Sequence, residues 1–134
     1  MPLKQPYDFG TIYSKTGAQG LGTGATFSST MNADRAAKVR MEVVATLVGG
    51  STAGNLTITA ISSRDGTNFD PMQITDDGAG TTAATGTVTT VAGSTVRRSF
   101  SIDPSGYRGG VRISVATAGA ANAADLVTIA AEAV

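Results

Sequence analysis

The sequence of 134 residues predicts an all-β fold: an antiparallel β-sandwich, jelly-roll-like, with an extended N-terminal arm. Three observations predict it. Apolar residues recur with a period of two, and the i, i+3, i+4, i+7 spacing of a helix is nowhere held over several turns. Clusters of Gly, Asn, Asp and Ser separate the alternating segments at regular intervals, as in sandwiches and jelly rolls. The length fits one domain, because two domains would each lack a sound core.

The clearest strands are two alternating segments on either side of a glycine-rich loop. In residues 37–48 every second residue is apolar and most of the others are polar or charged, which is typical of a strand with one buried face. Residues 55–61 repeat the pattern, which predicts a hairpin with a long connection. The residues predicted to face the core from these two strands are Val39, Met41, Val43, Ala45, Leu47, Leu56, Ile58 and Ala60.

Turn-forming residues delimit the remaining strands. Asp65-Gly66 supplies the positive φ that a tight turn requires. Residues 76–84 are poor in bulky side chains and predict a mobile loop that projects from the domain. The alanine-rich stretch 118–124 also suits a helical turn, although Gly and Asn interrupt it. The other predicted strands are residues 69–75, 85–91, 95–102, 110–117 and 125–133, with weaker strands near residues 9–14 and 26–30.

The first 24 residues differ from the rest of the chain. Pro2 and Pro6 resist regular structure, and four glycines between positions 17 and 24 make the chain pliable. The sequence therefore predicts an arm at residues 1–24 and a β-sandwich domain at residues 25–134. Such an arm is expected to order against a partner and to be dispensable for folding. The alternative is an ordinary frayed terminus.

Composition excludes several functional classes. Ten basic residues balance ten acidic residues, whereas nucleic-acid-binding domains usually carry a basic excess. No stretch approaches the roughly 20 apolar residues of a membrane span, and the N-terminus lacks the apolar run of a secretory signal. The absence of cysteine favours synthesis in a reducing cytosol. We therefore expect neither nucleic acid nor membrane as a partner.

The sequence offers no residue set for catalysis. It contains no His and no Cys, which removes the commonest general base and the thiolate nucleophile. Asp65, Asp70, Asp76 and Asp77 lie near two turns, where a carboxylate pair or a calcium site is the alternative to turn chemistry. We favour turn chemistry, because Asp before Gly is common in turns and the EF-hand residue order is absent. The sequence predicts no enzyme, no cofactor, and no catalytic, cofactor-binding or metal-binding residues.

Four arginines fall on or beside two neighbouring predicted strands. Alternation places Arg98 on the apolar face of its strand. One interpretation is a charge near a sheet edge that blocks unwanted strand pairing. The other is an intersubunit salt bridge, because Arg suits carboxylate pairing at interfaces. The four residues are Arg97, Arg98, Arg108 and Arg112.

Two segments resemble elements of small structural proteins of tailed bacteriophages. In residues 56–72 a strand ends in a Ser, Asp-Gly, Thr, Asn, aromatic turn and its partner strand follows; in residues 100–113 Tyr107-Arg108 leads into a strand. Together with the short chain, the Ala, Gly and Thr richness and the absence of His and Cys, they resemble capsid decoration or cement proteins. The resemblance implies a homo-oligomeric β-sandwich bound to the major capsid protein on the outer surface of the virion, after synthesis in the host cytoplasm.

Two other functional classes remain open. A tail, neck or head-fibre component would share the composition and the fold. A carbohydrate-binding β-sandwich module uses similar Asp-Gly turns, but it normally presents aromatic rings to sugars. Here Trp is absent, and Tyr7, Tyr13 and Tyr107 are the only tyrosines.

Overall fold

A computed structural model describes residues 8–33, 36–104 and 110–134. These ranges contain eleven β-strands and one short 3-10 helix, η1, at Gly17–Gln19. No helix in them is long and apolar enough to cross a bilayer. The strands are β1 Asp8–Thr16, β2 Thr26–Phe27, β3 Val39–Thr46, β4 Leu56–Ser63, β5 Phe69–Met72, β6 Ile74–Asp76, β7 Thr81–Ala83, β8 Gly86–Val88, β9 Thr95–Ile102, β10 Val111–Thr117 and β11 Leu126–Ala133.

The strands form two antiparallel sheets. The larger sheet has the order β1-β11-β3-β9-β6-β7, and the smaller sheet has the order β2-β10-β4-β5, with β8 pairing to the first half of β4. When the β5–β7 segment is set aside, β1-β11-β3-β9 faces β2-β10-β4-β8, and successive strands alternate between the sheets except at β4 and β8, which pair with each other in the smaller sheet. This alternation is the topology of a jelly roll. The predicted all-β, jelly-roll-like sandwich is confirmed.

The core lies between the sheets and is built by the alternation seen in the sequence. The inward residues of β3, β4 and β10 are fully buried, while their neighbours in the chain face outward or are only partly covered. The predicted inward set of β3 and β4 is confirmed, including Leu47 just beyond β3. The largest fully buried side chains include Phe100, Met31, Met41, Leu56, Ile58, Ile74, Ile113 and Ile129.

The segment predicted as one strand at residues 69–75 is two strands in different sheets. β5 pairs with β4 in the smaller sheet, and β6 pairs with β9 in the larger one, so the chain crosses between the sheets at Gln73. Met72 and Ile74 both point into the core from opposite sides. Because they keep a spacing of two residues, the sequence periodicity continues through the crossing and cannot reveal it.

Two loop predictions also differ from the structure. Residues 76–84, predicted as a projecting loop, include the end of β6 and the whole of β7, which form a hairpin at the edge of the larger sheet. Residues 118–124 form bends and a turn and no helix. The sequence did not predict strand β7, because all three of its residues are exposed and the strand therefore shows no apolar alternation.

The N-terminal arm prediction is wrong for residues 8–24, and residues 1–7 lie outside the described residues. β1 pairs with β11 from Asp8 to Thr16, and it buries Tyr13, which is 2% exposed. Gly17 serves close packing here, because a Cβ at this position would lie only 2.0 Å from the carbonyl oxygen of Asn122. Strand β1 is therefore an edge strand of the sandwich domain.

Gly86 is expected to tolerate no side chain. A Cβ there would lie 2.6 Å from the ring of Phe100, which is fully buried and cannot retreat freely. We expect Gly86→Ala to lower the free energy of unfolding by roughly 1–3 kcal/mol, the usual cost of overpacking, in a urea titration. The Phe100→Leu change should recover part of that loss in the double variant. The control is Gly49→Ala, because a Cβ added at Gly49 would meet no neighbouring atom within 4 Å. A Gly86→Ala variant as stable as this control would contradict the packing argument.

Candidate functional site

Both oxygens of the Asp65 carboxylate accept hydrogen bonds from residues of its own turn. Its Oδ1 accepts hydrogen bonds from the amides of Thr67 and Asn68, both at 2.8 Å, and from the Ser63 hydroxyl at 3.0 Å. Its Oδ2 accepts one from the Asn68 side chain at 2.8 Å. The amides of Asn68 and Thr67 are the main reason why the pKa of Asp65 lies well below its usual range. The turn interpretation of Asp65 is confirmed, with Gly66 at φ +82°.

Asp76 and Asp77 attach the β6–β7 hairpin to β9. Asp76 forms an ion pair with Arg98, and Asp77 accepts hydrogen bonds from the hydroxyls of Ser99 at 2.7 Å and Ser101 at 2.6 Å. Partial burial raises the pKa of both carboxyls, but the hydrogen bonds and nearby positive charges outweigh it, so both pKa values are lowered. The described part of the chain contains no group of three or more acidic residues arranged to hold a metal ion.

The structure gives Arg98 an internal partner. It lies opposite the buried Val43 across the β3–β9 ladder, so the prediction that it shares the apolar face of β9 is confirmed. Its charge is paired with Asp76 of the same chain, and the intersubunit bridge stays a prediction. Arg97 on the opposite face lies 3.0 Å from Glu42, and Arg108 lies outside the described residues.

The outer face of the larger sheet carries an open depression with charged and apolar lining residues. A depression of about 270 Å³ lies over β1, β11, β3 and β9. Its side chains carry mixed charges, and Arg40 at its border also lies 3.9 Å from Asp77. No aromatic ring lines it, so it offers no ring on which a ligand could stack. The lining residues are Asp8, Arg40, Glu42, Ser99, Ala130, Ala131 and Glu132.

Asp125 is a fully buried carboxylate that the sequence did not single out. It accepts hydrogen bonds from the amide of Val48 at 2.9 Å, the hydroxyl of Ser51 at 2.6 Å and the amide of Asn122 at 2.8 Å. Burial is the largest effect on its pKa and raises it, but the three hydrogen bonds together hold the pKa below its usual range. Asp125 thus joins the β3–β4 loop to the β10–β11 loop, which is a structural role.

The outer face of the smaller sheet carries an arginine between two phenyl rings. The Arg112 guanidinium carbon of β10 lies 4.4 Å from the ring centre of Phe27 in β2 and 4.2 Å from that of Phe69 in β5. Both distances are within the range of cation–π attraction. We call Phe27, Arg112 and Phe69 the Phe-Arg-Phe cluster. The antiparallel order β2-β10-β4-β5 brings these residues together from distant parts of the chain.

The charge of Arg112 has no counter-ion among the described residues. Arg40, Arg97 and Arg98 each lie within 4.0 Å of a carboxylate, whereas Arg112 makes no such pair. Its Nε is buried and makes no hydrogen bond. Phe27 remains 44% exposed, so the cluster opens to solvent on one side. Since no carboxylate of the described residues pairs with the guanidinium, its outer N–H groups can donate hydrogen bonds to an external acceptor.

The surface around the cluster is small and partly apolar. Ile61 lies directly opposite Arg112 in the β10–β4 ladder, and Pro71 lies opposite Ile61 in the β4–β5 ladder. Ile61 is half-buried and Pro71 is exposed. The sequence identified Arg112 but not its neighbours, because cross-strand pairing of distant segments leaves no local signal. The only hint in the sequence was an aromatic residue within each of two predicted strands.

No known protein family profile matches the chain, and no curated protein matches it in sequence. Solved structures match its fold. The SPBc2 prophage-derived protein YomS superimposes with a TM-score of 0.58 at 11% identity, over 100% of this chain and 99% of that one. The xylanase 10B of Clostridium thermocellum, solved as CBM22-1 and GH10 modules with xylohexaose, superimposes with a TM-score of 0.52 at 10% identity. The match covers 96% of this chain and 28% of the xylanase. At these identities the likeness establishes the β-sandwich fold.

Proposed function

We propose that this chain is a non-enzymatic structural protein of a tailed-phage particle, which binds and stabilises the outer surface of the capsid. The observation that carries the proposal is the Phe-Arg-Phe cluster, an open face where an unpaired cation lies among apolar side chains. Arginine and aromatic residues are enriched in protein interfaces and among the residues that dominate binding energy. Polar groups elsewhere in the described fold, such as Asp65, Asp76, Asp77 and Asp125, are engaged within the chain.

The fold likeness supports a phage origin. The match with the prophage-derived YomS covers 100% of this chain and 99% of that one. The residue patterns that resemble decoration proteins add to this. The partner in this proposal is the major capsid protein, the protein acts as a homo-oligomer on the virion surface after synthesis in the host cytoplasm, and it binds neither nucleic acid nor membrane.

Binding of this kind stabilises a shell by mass action. A ligand that binds the assembled lattice but not separated subunits lowers the free energy of the assembled state by RT ln(1 + [L]/Kd) for each site. A domain that contacts two neighbouring subunits also requires those contacts to break together. The expected result is a shell that withstands higher temperature and osmotic shock.

The test uses heads assembled without this protein and purified protein added back. We expect wild-type protein to co-sediment with the heads and to raise their rupture temperature. Phe27→Ser should weaken the association by tenfold or more, about 1.4 kcal/mol, because it removes an exposed aromatic contact. The matched control is Val91→Ser, since Val91 is also an exposed large apolar residue, 56% exposed, but lies in the β8–β9 loop. Heads that do not recruit the protein, or recruit it without gaining stability, would favour a tail, neck or head-fibre role.

Carbohydrate binding is a second candidate, favoured by the fold likeness to a protein solved with xylohexaose. Phe27 and Phe69 are two aromatic rings on one sheet face, which sugars use for stacking. The ring faces turned toward Arg112 are already covered by the guanidinium, which leaves less area for a sugar. A calorimetric titration with xylohexaose separates the two functions: saturable binding that Phe27→Ser abolishes would favour the carbohydrate module.

A further inference from the structure

The geometry points to the Phe-Arg-Phe cluster as a receptor for one carboxylate side chain, an Asp or Glu flanked by apolar residues on a segment of the partner protein. The identity of that partner as a shell subunit rests on the proposed function. The proposed ligand chemistry does not depend on that function, because it follows from the described side chains of this chain alone.

The first argument is charge complementarity. The guanidinium has five N–H donors and no acceptor, so it is satisfied best by carboxylate oxygens in a bidentate pair. Arg40, Arg97 and Arg98 each lie within 4.0 Å of a carboxylate oxygen in the fold, and Arg112 has no such contact among the described residues. Its Nε is covered without a hydrogen bond, so an incoming carboxylate has to approach the outer Nη groups. A partner carboxylate would supply the missing negative charge.

The second argument is preorganisation. Phenyl rings at 4.4 Å and 4.2 Å on two sides restrict the guanidinium before any partner arrives. A restrained donor loses less conformational entropy on binding than a free surface arginine. The rings, together with Ile61, also lower the polarity around the charge, which strengthens its attraction to an anion relative to open water. A lone surface ion pair would lack both advantages.

The third argument concerns the flanks of the ligand. Ile61 and Pro71 extend the face beside Arg112, so apolar side chains next to the carboxylate find apolar contacts. The domain has a net charge of zero and the cluster presents a single cation, which does not suit the repeated phosphates of a nucleic acid. The covered ring faces disfavour a sugar. An acidic residue within an apolar peptide segment fits each of these features.

A peptide titration tests the site without any phage component. The probe is N-acetyl-Val-Glu-Val-amide, and the uncharged control peptide is N-acetyl-Val-Gln-Val-amide. In protein labelled with ¹⁵N we expect the Nε–Hε resonance of Arg112 to shift and saturate with the Glu peptide at millimolar concentration. The Gln peptide should bind at least about tenfold more weakly, because it cannot form the charged bidentate pair. The internal control is the Nε–Hε resonance of Arg97, which already has Glu42 as its partner.

The outcomes separate the site from the proposed function. Three results would overturn the carboxylate receptor: equal binding of the two peptides, no saturation with either, or an equal response at Arg97. Each would do so whether or not phage heads recruit the protein. The Arg112→Lys variant should keep the circular dichroism spectrum of a β protein. Its affinity for the Glu peptide should fall about tenfold, because Lys presents a point charge and not a planar fork. Selective binding of the Glu peptide by a protein that no head recruits would keep the receptor and reject the capsid role.

Discussion

Deletion of residues 1–20 is expected to abolish cooperative folding, because it removes β1 and η1 from the larger sheet. β1 pairs with β11 along its length and buries Ile12 and Tyr13. Burial of two such side chains contributes roughly 3–6 kcal/mol, and the whole domain is expected to have about 5–15 kcal/mol of stability. Loss of β1 also exposes the edge of β11, a template for aggregation. Circular dichroism and a thermal scan would measure the loss.

The matched control is deletion of residues 1–7, which leaves every described strand in place. This shorter protein should keep its β spectrum and a sharp melting transition. If deletion of residues 1–20 also melts cooperatively near the wild-type temperature, then β1 contributes little, and an arm at the N-terminus becomes the better description of that segment.

Asp125→Ala is expected to destabilise the domain by about 3 kcal/mol, because it removes a buried carboxylate that accepts three part-buried hydrogen bonds, and each donor loses its acceptor. The amides of Val48 and Asn122 and the hydroxyl of Ser51 all lose their partner in one change. For a domain of this size the loss corresponds to a fall in Tm of roughly 10 °C. Asp70→Ala is the control, since Asp70 is an exposed carboxylate and such changes usually stay within about 0.5 kcal/mol.

Asp125 also predicts how stability depends on pH. Its pKa in the folded state is lowered, so the folded protein favours the ionised form. Its contribution is therefore complete above the ordinary pKa of about 3.9, and it is lost as the pH falls below that value toward the lowered folded-state pKa. Urea titrations at pH 7 and near pH 3 should show a smaller decrease in Asp125→Asn than in the wild-type protein. An equal decrease in both would mean that Asp125 contributes nothing to acid sensitivity.

The apolar periodicity of the sequence determined the fold class and most of the strands. The predicted strand at 95–102 matches β9, and residues 110–117 and 125–133 each differ from β10 and β11 by one residue. In a strand with one buried face, successive side chains point to opposite faces, so apolar and polar residues alternate along the sequence itself. The turn at Asp65-Gly66 was also predictable, because its hydrogen bonds join residues within three positions of Asp65.

Only the tertiary structure decided which strands are neighbours and what meets on their faces. The sequence predicted an arm at residues 1–24, with only a weak strand near residues 9–14, because glycines needed for close packing and for positive φ look the same as glycines in a flexible chain. Asp125 and Arg112 likewise depend on partners from distant segments, which loop closure and strand order bring together. Alternation tells which residues face the core, but it carries no information on the outward face, where Arg112 lies between Phe27 and Phe69.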